Sequence, residues 1–185
     1  MYIRNVEGKG RRTGFDGKGR GSGVVASGVG RPRSIGEVLS TEGVFADAAR
    51  GTSMLPLIRE GLDTIVVSPC SAGDLVPMDV VLYEREGAEG DGTYVLHRVV
   101  AGEAHGVLAL GDNCTWLEEV SSSQVRGVLV GLYRPNGRAN VLGTCRYRAY
   151  VALWCRPWRA RVALLGSCRR LRRRVGLALA GLRPR

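Results

Sequence analysis

Three short segments of the sequence carry residue types that together could activate a nucleophile. They span residues 51–56, 94–99 and 110–113 and contain Ser53, His97 and Asp112, in that order. A serine hydroxyl is a poor nucleophile until a base takes its proton, and histidine suits that task because its ordinary pKa of about 6.5 lies near neutrality. An aspartate can orient the histidine and stabilise the imidazolium that forms. The combination predicts amide hydrolysis by an activated serine.

Each of these residues also has an interpretation without catalysis. The hydroxyl of Ser53 could simply form a hydrogen bond within a turn. His97 could be a core histidine whose ring is satisfied by the backbone, and Asp112 could cap its own turn. The second histidine, His105, lies in a loop with no motif around it and receives no role. Catalysis is therefore a hypothesis that depends on the three segments meeting in space.

In their order, the three segments resemble the three boxes of the signal peptidase I family of serine peptidases. The matching residues are Ser53-Met54-x-Pro56, His97-Arg98-Val99 and Gly111-Asp112-Asn113. The wider superfamily also includes the self-cleaving LexA-like repressors. A histidine at the base position resembles the archaeal and endoplasmic-reticulum branch, whereas most bacterial members carry a lysine there. The resemblance covers residues 43–138.

The resemblance implies roles for the residues around Ser53. The backbone N–H of Ser53 is the first candidate for stabilising the oxyanion. Some family members add a hydroxyl two residues before the nucleophile, where this chain has Gly51. Thr52 is the adjacent hydroxyl-bearing residue. Met54 and Pro56 are expected to shape the wall of the cleft.

The resemblance also concerns the substrate and the third box. Family members bind an extended peptide along a strand edge and prefer small side chains just before the cut, so a peptide or precursor protein is the expected partner. Asp112 would orient His97. Many relatives have a second aspartate after this box, and the nearest acidic positions here are Glu118 and Glu119. Arg98 stays unassigned, because it could equally be a structural ion-pair partner.

Between residues 34 and 142 the sequence predicts a mainly β domain. Ser34 can cap a short helix that Gly43 ends. Runs of β-branched and aromatic residues then predict strands at 44–50, 64–67, 78–85, 93–100, 107–110 and 125–134. Alternation places Val95, His97 and Val99 on one face. Several short strands with turns between them predict a folded antiparallel sheet or partly closed barrel, and the signal-peptidase and LexA-like resemblance implies the same architecture.

The net charge of +10 is divided unevenly along the chain. Residues 1–33 hold eight Lys and Arg against two acidic residues (+6), residues 34–140 hold seven against fifteen (−8), and residues 141–185 hold twelve against none (+12). An acidic body is thus flanked by two basic arms. Such arms suit contact with anionic lipid or nucleic acid, or simple solvation.

The first arm, residues 1–33, is rich in Gly, Arg and Lys and lacks apolar periodicity. Such a segment buries too little surface to offset its ordering entropy, which predicts disorder. A helix-turn-helix does not fit into it, and this counts against a LexA-like repressor. The sequence contains neither a signal-peptide pattern nor an apolar run as long as a transmembrane helix. Here the chain departs from the signal peptidases, which usually carry a membrane anchor before the serine box.

The second arm, residues 143–185, predicts a basic amphipathic helix that Pro157 interrupts. Its apolar stripe consists of Val151, Trp154, Trp158, Val162, Leu165, Leu171, Val175 and Leu179. Three interpretations remain open. The arm could bind the surface of an anionic membrane, or pack on its own domain with a solvated basic face, while binding to nucleic acid suits the pattern least.

The five cysteines, at positions 70, 114, 145, 155 and 168, form no CxxC pair and no Cys/His cluster. They predict free thiols in a reducing compartment, and the sequence calls for neither a metal nor another cofactor. Together with the basic arm, these features predict a protein that is either peripherally membrane-associated or cytoplasmic.

The sequence therefore predicts a serine endopeptidase that removes signal or leader segments from precursors through a Ser53–His97 dyad assisted by Asp112. One alternative is a non-catalytic module that uses the same fold to hold extended peptides. Another is a self-cleaving regulator that binds nucleic acid through its basic arms. The distance between Ser53 Oγ and the imidazole of His97 is the first test, and a hydrogen bond requires about 2.6–3.2 Å.

Overall fold

A computed structural model describes residues 2–3, 34–85, 93–135, 137 and 139–180, without the side chains of residues 2–3 and 173–180. The predicted disorder of residues 1–33 thus lies outside the described residues, except that residues 2–3 form a strand. Residues 86–92, 136 and 138 also lie outside them.

Eight strands of the described chain form one curled antiparallel sheet, which confirms the prediction of a mainly β protein. The strands are β1 (Tyr2–Ile3), β2 (Phe45–Ala48), β3 (Thr64–Ser68), β4 (Val80–Arg85), β5 (Thr93–Glu103), β6 (Gly106–Leu110), β7 (Glu118–Ser121) and β8 (Val125–Tyr133). Seven of them follow the order β2-β3-β8-β4-β5-β6-β7, and β1 pairs with β5 at Tyr94 and Val95.

The sequence pattern located six of these strands and missed β1 and β7. Strand β7 reads Glu-Glu-Val-Ser, and Val120 is its one buried residue. An edge strand with a single buried side chain shows too little alternation to stand out from a loop. This omission matters for the site, because β7 begins at Glu118.

The helix α1 (Ile35–Glu42) fixes the segment that carries Ser53. Its capping box is the one that Ser34 predicts, with Ser34 Oγ accepting the N–H of Glu37 at 3.1 Å and the Glu37 carboxylate accepting the N–H of Ser34 at 2.9 Å. The buried face of α1 packs into the same core cluster as Met54 and Ile58, which lie in the loop between β2 and β3. The Ser53 loop is therefore anchored from below by apolar contacts.

Strand β5 separates two packed regions. Val95 and Val99 belong to the apolar cluster that also holds Tyr83 of β4, whereas Leu96 belongs to the core cluster beneath α1. Successive side chains of a strand point to opposite faces, so His97 lies on the side of Val95 and Val99, as predicted.

The basic arm folds into three consecutive helical segments. They are α2 (Cys145–Tyr150), a π-helical turn (Val151–Cys155) and α3 (Trp158–Ala180), with the break at Pro157 that the sequence predicts. Trp158 and Val162 of α3 pack against an apolar cluster that contains Leu110 and Cys114. The first part of α3 thus packs on its own domain. No helix among the described residues is both long enough and apolar enough to cross a membrane.

Candidate active site

The loop between β2 and β3 presents Ser53 to β5. Gly51 has φ of 92°, a left-handed backbone conformation that residues other than glycine rarely adopt. The chain can therefore turn sharply just before the serine. Ser53 Oγ lies 3.1 Å from Nε2 of His97. The two residues that the sequence places 44 positions apart therefore meet at hydrogen-bond distance.

The other ring nitrogen of His97 faces a tyrosine and a glutamate. Nδ1 of His97 lies 3.1 Å from Tyr83 Oη and 3.6 Å from Glu118 Oε1. Tyr83 Oη in turn donates a hydrogen bond to Glu118 Oε2. The side chains reach one another because Tyr83 and His97 lie on the same face of the β4–β5 pair, where diagonal neighbours approach closely.

This arrangement determines which nitrogen of His97 carries the proton. An ionised carboxylate only accepts hydrogen bonds, so the single hydroxyl proton of Tyr83 must go to Glu118. The Tyr83 oxygen then accepts from Nδ1–H of His97, which leaves Nε2 unprotonated. Nε2 can therefore accept the hydroxyl proton of Ser53, as a general base requires.

Glu118 is held by three donors besides its position near His97. Tyr83 and Arg85 both donate to Oε2, and Trp116 Nε1 donates to Oε1 at 3.3 Å. Burial alone would raise the pKa of Glu118, but the hydrogen bonds from Tyr83 and Arg85 outweigh it and lower the pKa. The glutamate is therefore ionised. Burial of Tyr83 and its hydrogen bond to Glu118 raise the pKa of the tyrosine, which therefore stays protonated.

The imidazole itself is poised as a neutral group. The His97 residue is only 2% exposed, and this burial lowers its pKa to about 4 despite the opposing charge of Glu118. The ring is thus unprotonated at neutral pH, which is the state that a general base must have before it accepts a proton. The imidazolium that results would lie in a poorly solvated place and would depend on Glu118 for its stability.

The third segment approaches Ser53 and His97 through its backbone. A Cβ atom on Gly111 would lie 2.8 Å from the carbonyl oxygen of Ser53 and 3.1 Å from Nε2 of His97, so no side chain fits there. Asn113 fastens the serine loop, because its N–H donates to the Ser53 carbonyl at 2.8 Å and its Nδ2 donates to the Thr52 carbonyl at 3.2 Å.

Asp112 does not orient His97, contrary to the expectation from the sequence. Its carboxylate is fully buried on the other side of β5, where Arg98 donates to both oxygens at 2.8 and 2.7 Å. The hydroxyl of Tyr150 donates at 2.9 Å, and Nη1 of Arg161 at 3.3 Å. Arg98 alternates with His97 along β5, so the carboxylate that pairs with Arg98 lies away from Nδ1 of His97. Asp112 instead joins the body to α2 and α3.

Ser53 and His97 open into a cavity of about 270 Å³. Its lining is formed by Gly51, Thr52, Ser53, Arg85, Val95, His97, Asn113, Cys114, Trp116, Glu118 and Arg169. Gly51 and Thr52 thus line the cleft. Two other expectations are corrected, because the Met54 side chain is buried in the core and Pro56 lines a separate cavity of about 440 Å³.

No family model, curated protein or solved structure matches this chain. The geometry of the site is therefore the observation on which a function can be built.

Several residues of the site were not predicted from the sequence. Tyr83 could have been found from the register of the β4–β5 hairpin, which puts it diagonally across from His97. Glu118 was noted only as an acidic position after the third box. Arg169 reaches the cleft from the far end of the chain, and no local pattern indicates such a contact.

Proposed function

We propose that the chain is a serine endopeptidase in which Ser53 is the nucleophile and His97 the general base. The observation that carries the proposal is the 3.1 Å contact between Ser53 Oγ and His97 Nε2, in the tautomer that Tyr83 and Glu118 impose. By its resemblance to the signal peptidases, the chain would act on the signal or leader segments of precursors. The proposed fold is likewise the one that signal peptidases and LexA-like proteins share.

In the proposed reaction, Ser53 Oγ attacks the carbonyl carbon of the scissile amide while its proton passes to Nε2 of His97. The imidazolium then donates that proton to the leaving amine. In the second step His97 takes a proton from a water molecule, which attacks the acyl-enzyme, and then returns the proton to Ser53 Oγ. Glu118, with Oε1 at 3.6 Å from Nδ1, stabilises the imidazolium. Tyr83 keeps Nδ1 protonated and the ring oriented.

The oxyanion requires hydrogen-bond donors beside Ser53. The backbone N–H of Ser53 is the proposed first donor. Two side chains that line the cavity can supply the second, namely the hydroxyl of Thr52 and the second N–H of the Asn113 amide, whose first N–H is bonded to the Thr52 carbonyl. Gly51 offers no side-chain donor.

The edge of β5 beside the cavity supports the binding of an extended peptide. Strand β1 pairs there, with Tyr2 opposite Val95 and Ile3 opposite Tyr94, and Val95 lines the cavity. Residues 2–3 thus pair with this edge as an antiparallel strand, and a bound peptide would take the place of β1. Strand addition obtains its affinity from main-chain hydrogen bonds and its selectivity from the pockets for alternate side chains.

The test is cleavage of a library of precursor-derived peptides, read by mass spectrometry, for the wild type and for Ser53→Ala and His97→Ala. Both substitutions should reduce cleavage to background, because each removes a partner of the proton transfer. Processing that survives both substitutions contradicts the proposal.

The matched controls are Ser123→Ala and His105→Ala, which change an exposed serine and the only other histidine of the chain. They should cleave like the wild type. If the wild type binds peptides without cleaving them, and Ser53→Ala binds equally well, the chain is the non-catalytic peptide module instead.

A further inference from the structure

A single arginine from the basic arm reaches the rim of the cleft. Arg169 of α3 lines the cavity together with Ser53 and His97. Its Nη2 donates to the carbonyl oxygen of Asn113 at 2.6 Å, and its Nη1 donates to Thr115 Oγ1 at 3.1 Å. These two bonds hold the guanidinium against the loop that follows β6.

The charge of Arg169 is not neutralised within the cleft. Both of its acceptors are neutral oxygens, and none of the ion pairs among the described residues includes it. Glu118 is the one carboxylate among the residues that line this cavity, and it already accepts from Tyr83, Arg85 and Trp116. Among the residues that the structure describes, two of the five guanidinium N–H groups have acceptors, so three are left for a ligand.

We propose that Arg169 selects peptides that carry a carboxylate at the position facing the rim of the cleft. The inference rests on the proposed binding of peptides in this cleft. The carboxylate could belong to an aspartate or glutamate side chain or to the C-terminus of the peptide, because a guanidinium fork binds both in the same way. Arg169 acts here as a specificity-determining residue and takes no part in the proton transfers.

The arm supplies a charge that the body lacks at this place. Within the cleft, Arg85 is already paired with Glu118. Arg169 comes from the segment that holds twelve arginines and no acidic residue, and it adds a net positive charge at the rim. An acidic peptide would gain a charge-assisted hydrogen bond there, worth about three- to tenfold in affinity at a partly exposed site.

The experiment measures the capture of synthetic random decapeptides by the immobilised Ser53→Ala protein, which cannot consume them. One library has C-terminal amides and the other has free C-terminal carboxylates. We expect a three- to tenfold enrichment of Asp and Glu over Asn and Gln at one peptide position in the amidated library, or a similar preference for the free-acid library. The first outcome assigns the carboxylate to a side chain, and the second assigns it to the C-terminus.

Two further substitutions in the Ser53→Ala background connect the preference with Arg169. Arg169→Gln should abolish it, and Arg169→Glu should reverse it toward Lys and Arg, which a merely structural role would not do. Arg170→Gln is the matched control, because Arg170 donates to Ser167 of its own helix and should leave the preference unchanged. Thermal unfolding checks that every variant is folded.

Equal capture of acidic and neutral peptides, including no capture at all, overturns the inference, and so does a preference that survives Arg169→Gln. Failure of the inference is distinguishable from failure of the peptidase proposal. Cleavage by the wild type without an acidic preference overturns only the role of Arg169. Carboxylate-selective capture without any cleavage by the wild type supports Arg169 and contradicts the peptidase.

Discussion

His97 and Arg98 are neighbours on β5, yet their side chains face two different carboxylates on opposite sides of the strand. On one side, His97 meets Tyr83 and the half-buried Glu118, and the arrangement opens into a cavity. On the other side, Arg98 meets Asp112, and the carboxylate is closed off from solvent.

The difference between the two sides lies in solvent access and in charge balance. The His97 side has a neutral base beside an anion, so a proton can arrive without leaving an uncompensated charge. The Asp112 side has a permanent ion pair with Arg98, which is fully buried. Burial alone would lower the pKa of Arg98, but the hydrogen bond with Asp112 outweighs it and raises the pKa. We therefore expect the carboxylate of Glu118 to support the proposed reaction at Ser53 and the carboxylate of Asp112 to support structural stability.

The largest effect is expected when Asp112 becomes an amide. Asp112→Asn leaves Arg98 and Arg161 buried without a counter charge, and Nε and Nη2 of Arg161 already have no hydrogen-bond partner among the described residues. The free energy of unfolding should fall by about 3–5 kcal/mol. Urea denaturation followed by circular dichroism measures it. A loss below about 1 kcal/mol contradicts the anchoring role.

The matched change on the other side is Glu118→Gln. It should lower kcat by about 10- to 100-fold, because the imidazolium loses its counter charge and a glutamine amide can donate to Tyr83 and reverse the hydrogen bond that fixes the tautomer. The free energy of unfolding should change by no more than about 1 kcal/mol. Steady-state kinetics and urea denaturation together make the comparison. A variant that is destabilised as strongly as Asp112→Asn erases the distinction between the two carboxylates.

The pH dependence of stability separates the two sides further. His97 has a folded-state pKa of about 4, below its ordinary value near 6.5, so between these values the unfolded chain binds more protons than the native protein. Stability is therefore complete above about pH 6.5 and decreases as pH falls toward 4, by up to about 1.4 kcal/mol per pH unit. Urea denaturation across this range should show the slope in the wild type, and His97→Gln should remove that part of it.

Nuclear magnetic resonance gives a direct control for this prediction. The chain has two histidines, so His105→Gln identifies the signal of His97. If the imidazole of His97 titrates near pH 6.5, the prediction that burial lowers its pKa is contradicted. In Glu118→Gln the His97 pKa should fall still lower, since the charge of Glu118 raises it.

The smallest effect on stability is expected on the exposed face of α3. Leu164 and Leu171 are 53% and 63% exposed, so the double substitution to Gln should change the free energy of unfolding by less than about 0.5 kcal/mol. If the arm binds an anionic membrane surface, the same substitutions should weaken co-sedimentation with phosphatidylserine-containing vesicles several-fold. Unchanged sedimentation contradicts the membrane prediction, and Val162→Gln, at a position packed on the body, should destabilise the fold instead.

Particular residues show how far the sequence leads. Strands β3 to β6 and β8 follow from their runs of β-branched residues, and α1 follows from the Ser34 cap, because these signals are local. The meeting of Ser53 and His97 was predicted from their residue types and from the resemblance of three short boxes. Asp112 was assigned as the partner of His97 because of its motif. The assignment was wrong, because alternation along β5 places Arg98, which binds Asp112, on the side opposite His97.

The sequence by itself determined six of the eight described strands, the face of His97 and the basic character of the tail, because each depends on residues close together in the chain. Only the tertiary structure decided that Glu118 and Tyr83 contact His97, that Asp112 binds two arginines, and that Arg169 lines the cleft. Those pairings join residues from 14 to 56 positions apart, and the curl of the sheet and the docking of α3 bring them together. Local patterns carry no information about either.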